Sequence, residues 1–275
     1  MHVEKRSFMH VQSKSSPRPP VSMPAGTQSI QRVVMILREL AARNREGVRL
    51  ADLVSSLDLE QPTVHRMLKS LVAESLATQD PVSKRYYLGQ AIYELGLAAS
   101  QRFDLRAQCE PILSSLAAQT RDTTFLTVRS GDESVCLDRR EGDSPIKVFT
   151  LATGDRRPLG VGAGSMALLS AFPEPEIRRV ISANSNRLAS FGEKRPAALL
   201  AQVLEAKERG YSLRDLPGYE GIRAIGMAVL DSKQQPIAAL SISTLVARLS
   251  GKEFDNRYRL LREHCAAITK SVAAQ

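Results

Sequence analysis

Residues 61–72 read QPTVHRMLKSLV and predict a helix whose two faces differ in chemistry. Apolar side chains recur at spacings of three and four residues, which predicts a buried stripe along one face. Pro62 suits the first turn of this helix, because its missing N–H would have no helical acceptor there. The predicted stripe consists of Val64, Met67, Leu68, Leu71 and Val72.

The opposite face of the helix carries hydrogen-bonding and cationic side chains and no carboxylate. A helix that enters a DNA major groove runs between two rows of phosphates, so an acid-free face suits that position. A solvated surface helix is the alternative, although such a face usually mixes acidic with basic residues. The candidate DNA-binding residues on this helix are Gln61, Pro62, Thr63, His65, Arg66 and Lys69.

The flanking segments predict a helix-turn-helix with a wing. Upstream, apolar periodicity predicts helices over residues 27–45 and 49–57, and short helices joined by a tight turn form this motif. Downstream, two short strands within residues 76–88 flank a turn and predict a β-hairpin. We expect Lys84 and Arg85 in this hairpin to contact backbone phosphates, although each alone could be an ordinary surface charge.

The net charge of +9 also indicates a polyanionic partner. It divides into +5 over residues 1–90 and +4 over residues 91–275, a segment about twice as long. Solubility is the alternative when charge is taken alone. Residues 1–26 are polar, basic and proline-rich, and therefore predict a disordered tail.

The remainder of the chain mixes helices and strands in an order that favours an α+β fold with an antiparallel sheet. Strands are predicted over residues 123–130, 134–139, 146–151, 224–230 and 237–245. Helices are predicted over residues 90–103, 105–120, 174–183, 196–209 and 251–273, and another ends near Ala171. The predicted division is a tail over 1–26, a winged helix-turn-helix over 27–89, a linker helix over 90–104 and a second domain over 105–275.

A glycine-rich segment, residues 160–165, opens the helix that ends near Ala171 and invites comparison with nucleotide-binding loops. The dinucleotide fingerprint requires glycine where this chain has Ser165, and the phosphate loop requires a lysine there. Small residues at a helix start leave backbone N–H groups free, and the positive end of the helix dipole favours an anion. A carboxylate ligand fits this position, and close packing of the helix on the sheet is the alternative.

Two serines mark a predicted strand near the end of the chain. Ser241 and Ser243 are two residues apart in an apolar segment, so they share one face of the strand. If that face points inward, the hydroxyls need partners, which a ligand or the backbone could provide. A solvent-facing side of the sheet is the alternative.

Several separated segments together resemble the IclR-type transcriptional regulators over residues 27–272. They are PTVHRML at 62–68, RYYLG at 85–89, Gly154, Pro158-Leu159, GYS at 210–212, EGIRAI at 220–225 and ALSIS at 239–243. The resemblance implies an N-terminal winged helix-turn-helix and a C-terminal GAF-like effector-binding domain. It also implies dimers, or dimers of dimers, that bind operator DNA under the control of a small and often anionic metabolite.

The chain departs from the family pattern at three positions where the ligand would lie. Gly160 stands where the family often has histidine, Arg214 where it usually has an acid, and Ala224 where it often has cysteine. These changes bear on the identity of the effector and leave the expected fold unchanged. The candidate effector-binding residues are Gly160, Gly162, Ala163, Gly164, Arg214, Ala224, Ser241 and Ser243.

The sequence also argues against other classes of function. No histidine lies between residues 66 and 263, which disfavours a nucleophile–histidine pair or a catalytic zinc in the central region. The three cysteines lie far apart, which excludes a disulfide framework and fits a reducing cytoplasm. An α/β metabolic enzyme and a non-specific nucleic-acid-binding module are the alternatives, and the second should lack a sensor domain.

We therefore predict a cytoplasmic DNA-binding regulator that is not an enzyme. We expect no metal, no cofactor and no membrane association. The expected partners are double-stranded operator DNA, a small carboxylate effector and a second copy of the chain in a homodimer or a tetramer.

Overall fold

A computed structural model describes residues 28–100, 105–145, 147–193, 195–216 and 218–273. The predicted tail, residues 1–26, lies outside the described residues, as do residues 101–104 of the predicted linker helix. The α+β architecture that the sequence predicts is confirmed. It comprises a small helical region with a two-stranded hairpin, followed by a six-stranded antiparallel sheet with helices.

Three helices and a hairpin form the N-terminal region. The helices are α1 (Gln28–Ala42), α2 (Leu50–Leu57) and α3 (Gln61–Ala73), and the strands are β1 (Ala77–Gln79) and β2 (Tyr86–Leu88). Asp58 adopts a left-handed conformation at the C-terminus of α2, which turns the chain sharply into α3. The buried core of this region is formed by Ile36, Leu40, Val48, Leu53, Leu57, Val64, Leu68, Leu71, Ala77 and Tyr86.

The apolar stripe of α3 fixes its orientation. Val64, Leu68 and Leu71 are almost completely buried, as the helical spacing predicts, whereas Val72 at the end of the predicted stripe is exposed. Burial of each such side chain stabilises the fold by about 1.5–3 kcal/mol relative to exposure. The polar side of α3 is therefore held outward by the packing of its apolar side.

Helix α4 (Gln90–Ser100) follows the hairpin, and α5 (Leu105–Thr120) leads into the sheet. The sheet has the strand order β5-β4-β3-β8-β7-β6, and all neighbouring strands are antiparallel. Its strands are β3 (Thr123–Ser130), β4 (Glu133–Glu141), β5 (Arg156–Pro158), β6 (Ser212–Asp215), β7 (Ile222–Leu230) and β8 (Pro236–Leu245).

Helices cover both faces of this sheet. Helices α5 and α9 (Gly251–Ala273) pack on one face, where Leu113, Leu240 and Leu261 belong to a common core. The short helix α6 (Ala163–Ser170) packs on the other face, supported by α8 (Pro196–Arg209). Helix α7 (Glu174–Leu188) packs against α8.

Two edge strands differ from the prediction. The strand expected over residues 146–151 is wrong for the described residues 147–151, which form no strand. Val148 and Thr150 are buried alternately, as a strand would bury them, yet the Val148 N–H donates to the Thr123 hydroxyl and not to a strand carbonyl. Strand β5 pairs with β4 instead, and β6 at the opposite edge was not predicted.

Candidate functional site

The polar face of α3 is open to solvent along its length. Side chains of Gln61, Pro62, His65, Arg66 and Lys69 are exposed, and Thr63 is half-buried. The Ser70 hydroxyl folds back and donates to the Arg66 carbonyl at 3.2 Å, so it stays on the helix. Since α3 carries no carboxylate, the exposed face presents only donors, neutral groups and cations.

The two basic residues of the hairpin lie in different environments. Lys84 is exposed and has a positive φ of 58° at the end of the turn. Arg85 is half-buried, and its Nη1 donates to the Gly47 carbonyl at 2.8 Å. Arg85 therefore ties the hairpin to the loop between α1 and α2, a structural role that the sequence did not indicate.

The glycine-rich segment positions the start of α6 through two unusual backbone conformations. Gly160 and Gly162 have φ values of 105° and 86°, which side-chain-bearing residues rarely adopt. The Gly160 N–H donates to the Ser165 hydroxyl at 2.8 Å. The N–H groups of Ala163 and Gly164 have no acceptor among the described residues, as expected for the first turn of a helix.

This helix start lies directly against the sheet. A Cβ atom added to Gly226 on β7 would lie 2.6 Å from the Ala163 carbonyl, so glycine is required for the contact. A Cβ atom added to Gly164 would lie 3.0 Å from Ser241 Oγ and 3.1 Å from Thr127 Oγ1. The first turn of α6 and the hydroxyl groups of β3 and β8 therefore face each other across a very short distance.

A void of about 30 Å³ remains between α6 and the sheet. That volume holds about two water molecules. The lining residues are Phe125, Thr127, Ser134, Cys136, Thr150, Leu151, Asp155, Arg157, Val161, Gly162, Ala163, Gly164, Ser165, Leu216, Ala224, Ser241 and Ser243.

Several hydroxyl groups in this cavity have no partner. Ser241, Ser243 and Thr127 are each at most 5% exposed, and their hydroxyls make no hydrogen bond within the described part of the chain. Buried hydroxyls normally have a partner in the protein or in bound solvent. The cavity can therefore accept and donate hydrogen bonds to a polar molecule.

Most of the predicted effector-binding residues line this cavity, and two do not. The cavity brings together Gly162, Ala163, Gly164, Ala224, Ser241 and Ser243. Gly160 is buried behind the helix start, against Leu169 and Leu199. Arg214 also lies outside the lining, and its guanidinium donates to the Glu193 carboxylate, so its contact with an effector stays a prediction.

Arg157, the cation in the described cavity lining, was not predicted from the sequence. Strand β5 pairs Arg157 with Ser134 on β4, and the guanidinium donates to the Thr150 carbonyl. Burial lowers the pKa of Arg157 from its usual range, because removal from water disfavours the charged form. Arg157 directly precedes Pro158-Leu159, one of the segments that resemble the family. The strand predicted over 146–151 placed the edge of the sheet elsewhere, so Arg157 was not selected.

A buried ion cluster holds β5 in place. Glu133 on β4 accepts hydrogen bonds from Arg156 at 2.7 Å and from Arg187 of α7 at 2.7 Å. Burial acts to raise the pKa of Glu133, but the two guanidinium groups outweigh it and hold that pKa below its usual value. The wall of the cavity that carries Arg157 is thus fixed by paired charges on its other side.

The described residues offer neither a cluster of metal ligands nor an activated thiol in the cavity. No group of three potential metal ligands occurs among the residues that the structure describes. Burial raises the pKa of the Cys136 thiol in the cavity to about 12, so the thiolate is disfavoured. In the same part of the chain, no helix has both the length and the apolar character needed to cross a membrane.

Comparisons with known proteins match both regions. The model for the IclR helix-turn-helix domain matches residues 29–81, and the model for the bacterial transcriptional regulator IclR C-terminal domain matches residues 97–270. The chain is 26% identical over 248 residues to the HTH-type transcriptional regulator XynR of Escherichia coli, covering 89% of this chain and 97% of XynR.

Solved structures share the fold. An IclR transcriptional regulator from Alicyclobacillus acidocaldarius superposes with a TM-score of 0.73 at 22% identity, over 89% of this chain and 98% of that one. An IclR homologue from Microbacterium hydrocarbonoxydans, complexed with 4-hydroxybenzoate, gives 0.69 at 22% identity, over 90% of this chain and 100% of that one. The chain therefore belongs to the IclR family and is a DNA-binding transcriptional regulator with an effector-binding C-terminal domain.

Proposed function

We propose that α3 reads operator DNA from the major groove and that a small carboxylate, bound at the start of α6, controls this binding. Arg66 and His65 reach base edges, with Gln61 and Thr63 at the start of the helix. Lys69 and Lys84 contact phosphates. Arg85 contacts them as well, through the guanidinium N–H groups that do not donate to the Gly47 carbonyl. The exposure of this acid-free face supports the assignment.

The regulator binds DNA as a homodimer, or as a tetramer built from two dimers. One recognition helix contacts too few base pairs for specificity in a genome, so two copies on an approximately palindromic operator are required. Exposed apolar side chains on α1 (Ile30, 67% exposed) and α4 (Tyr93, 67%, and Leu95, 61%) offer surface for pairing. Two-fold symmetry would space the half-sites by about 34 Å or a multiple of it.

Sedimentation of the whole chain at micromolar concentration tests this assembly. We expect a dimer or a tetramer. A monomer that retains full operator affinity would contradict it.

One observation carries the proposed effector class: unpaired N–H groups at a helix start face unpaired hydroxyls across a small cavity. The N–H groups of Ala163 and Gly164 and the positive end of the α6 dipole favour an anion. Ser241 and Ser243 hydrogen-bond its polar atoms from the sheet. The 4-hydroxybenzoate of the Microbacterium homologue is itself a carboxylate, which supports this ligand class for the shared fold.

The size of the cavity provides the basis for regulation. A carboxylate of the size of benzoate exceeds the void of about 30 Å³, so such a ligand widens it on binding. A ligand that binds only the widened state shifts the protein toward that state. If the two states also differ in operator affinity, the ligand controls DNA binding.

We place this regulator in the bacterial cytoplasm, where its operator DNA lies.

Two measurements on the whole chain test the proposal. An operator is first selected from a random duplex pool, and its affinity is measured by fluorescence anisotropy with and without candidate carboxylates. Thermal unfolding in the presence of acetate, succinate, benzoate and 4-hydroxybenzoate then detects binding, because a ligand of the native state raises Tm. We expect sequence-specific DNA binding and at least one carboxylate that raises Tm and changes operator affinity. Absence of any carboxylate effect would contradict the effector class.

A further inference from the structure

We propose that Arg157 is the specificity-determining residue of the effector cavity and pairs directly with the carboxylate of the ligand. This inference rests on the proposed function, because it assumes that the effector binds between α6 and the sheet. It adds a cation to a site that otherwise offers backbone N–H and hydroxyl groups. The inference also places the charged contact with the ligand on Arg157 of β5, whereas the sequence suggests Arg214 for that contact.

The alternation of β5 separates its two arginines. Successive side chains of a strand point to opposite faces, so Arg156 and Arg157 face different surroundings. Arg156 reaches Glu133 at 2.7 Å, within the buried cluster that includes Arg187. Arg157 lines the cavity, where it is the only cation among the lining residues that the structure describes.

Arg157 differs from its neighbours in having no carboxylate partner. On the adjoining strand, Arg139 pairs with Glu141 and Arg140 pairs with Asp138. No carboxylate forms an ion pair with Arg157 in the described part of the chain, and the one hydrogen bond that its guanidinium makes there goes to the Thr150 carbonyl. A guanidinium group has five N–H donors arranged to match a carboxylate, so most of its donors remain available.

Asp155 is the one acidic side chain in the described lining, and it opposes an anionic ligand. Its Oδ2 accepts the Ala152 N–H at 2.7 Å, so one oxygen is engaged in the local turn. Its charge lies close enough to Arg157 to favour the charged guanidinium, but not close enough to form an ion pair. A bound carboxylate would therefore give Arg157 a direct partner that Asp155 does not provide.

The test compares acids with their neutral amides in thermal-shift titrations of the whole chain. The probes are acetate, succinate, benzoate and 4-hydroxybenzoate with the corresponding amides, at constant ionic strength. We expect the acid that binds the wild type to bind at least tenfold more tightly than its amide. Arg157→Gln should weaken binding of the acid at least tenfold and remove the preference for acid over amide.

Two further variants separate charge from packing. Arg157→Lys keeps the charge and should bind the acid at least threefold more tightly than Arg157→Gln. Arg178→Gln, on the exposed side of α7, is the matched control and should leave affinity unchanged. A lysine variant as weak as the glutamine variant would indicate packing alone and overturn the inference.

The outcomes separate the effector class from the role of Arg157. If no carboxylate of the panel binds the wild type, the proposed effector class fails, and the inference fails with it. If an acid binds wild type and Arg157→Gln equally well, the effector class stands and the role of Arg157 is wrong.

Discussion

We propose that helices α3 and α6 each bind a negatively charged partner, but they do so with different atoms. Helix α3 buries one apolar stripe and exposes side chains such as Arg66 and Lys69 along the other side. All eight residues of α6 are buried, and its first turn offers backbone N–H groups. Side chains of one helix therefore define the first site, whereas the second depends also on the space close to the backbone of α6.

This difference predicts opposite tolerance to substitution. We expect that replacing an exposed side chain of α3 removes a contact with DNA and leaves the fold intact. Adding a single methyl group to Gly226 presses on the backbone at the start of α6, so the helix or the strand must shift. Each prediction below uses this contrast, beginning with the largest expected effect.

Gly226→Ala should be the most damaging of these changes. The new Cβ would meet the Ala163 carbonyl at 2.6 Å, so α6 or β7 must shift. Overpacking of this kind costs about 1–3 kcal/mol, occasionally more, and should lower Tm by several degrees. Gly96→Ala on α4 is the control, since no atom lies within 4 Å and alanine favours a helix. Equal Tm values for the two variants would show that α6 has room to move.

Arg66→Ala should reduce operator affinity by about 1–3 kcal/mol and relax the base preference at one position. Its Tm should stay near that of the wild type, because the side chain is exposed. Anisotropy titrations with the selected operator and its single-base variants measure both effects. Uniform weakening across all sequences would instead assign Arg66 to a phosphate.

Ser241→Ala should weaken carboxylate binding by about 0.5–1.5 kcal/mol, or about 1.5–3 kcal/mol if the bonded oxygen is charged. Its hydroxyl makes no hydrogen bond within the described residues, so the variant should keep its operator affinity without ligand. Isothermal titration calorimetry measures the change. If Ser241→Ala and Ser243→Ala both bind the ligand as tightly as wild type, the ligand lies elsewhere.

Lys84→Ala should have the smallest effect and should act on all sequences alike. Lys84 is exposed at the end of the hairpin turn, where it is suited to a phosphate. Loss of one phosphate contact should reduce the slope of log affinity against log salt by about one. A change in base preference would contradict this role.

The two sites also differ in how far the sequence could predict them. The face of α3 follows from helical spacing and composition within one short segment, so Val64 and Arg66 could be assigned to opposite sides. The start of α6 could be located from Gly162 and Gly164, because glycines that open an apolar helix leave its backbone N–H groups open to close approach.

The parts of the cavity that could not be predicted depend on contacts between residues that are distant in sequence. Thr127 reaches the site through the register of β3 with β8, which no local pattern encodes. Arg214 lies outside the cavity lining and pairs with Glu193, which comes from a separate segment. Residues 147–150 do alternate between exposed and buried, as the predicted strand over 146–151 requires. Strand formation also depends on which edge of the sheet is free.

Coupling between the two sites tests the central claim most directly. Operator affinity of the whole chain is measured with and without a carboxylate that binds, for wild type, Arg66→Ala and Gly164→Val. We expect Arg66→Ala to lose affinity but to keep the ratio of affinities with and without ligand. Gly164→Val, whose side chain would fill the cavity beside Ser241, should keep the affinity and lose the ratio. A ratio that persists in Gly164→Val, or disappears in Arg66→Ala, would contradict control of DNA binding from the α6 cavity.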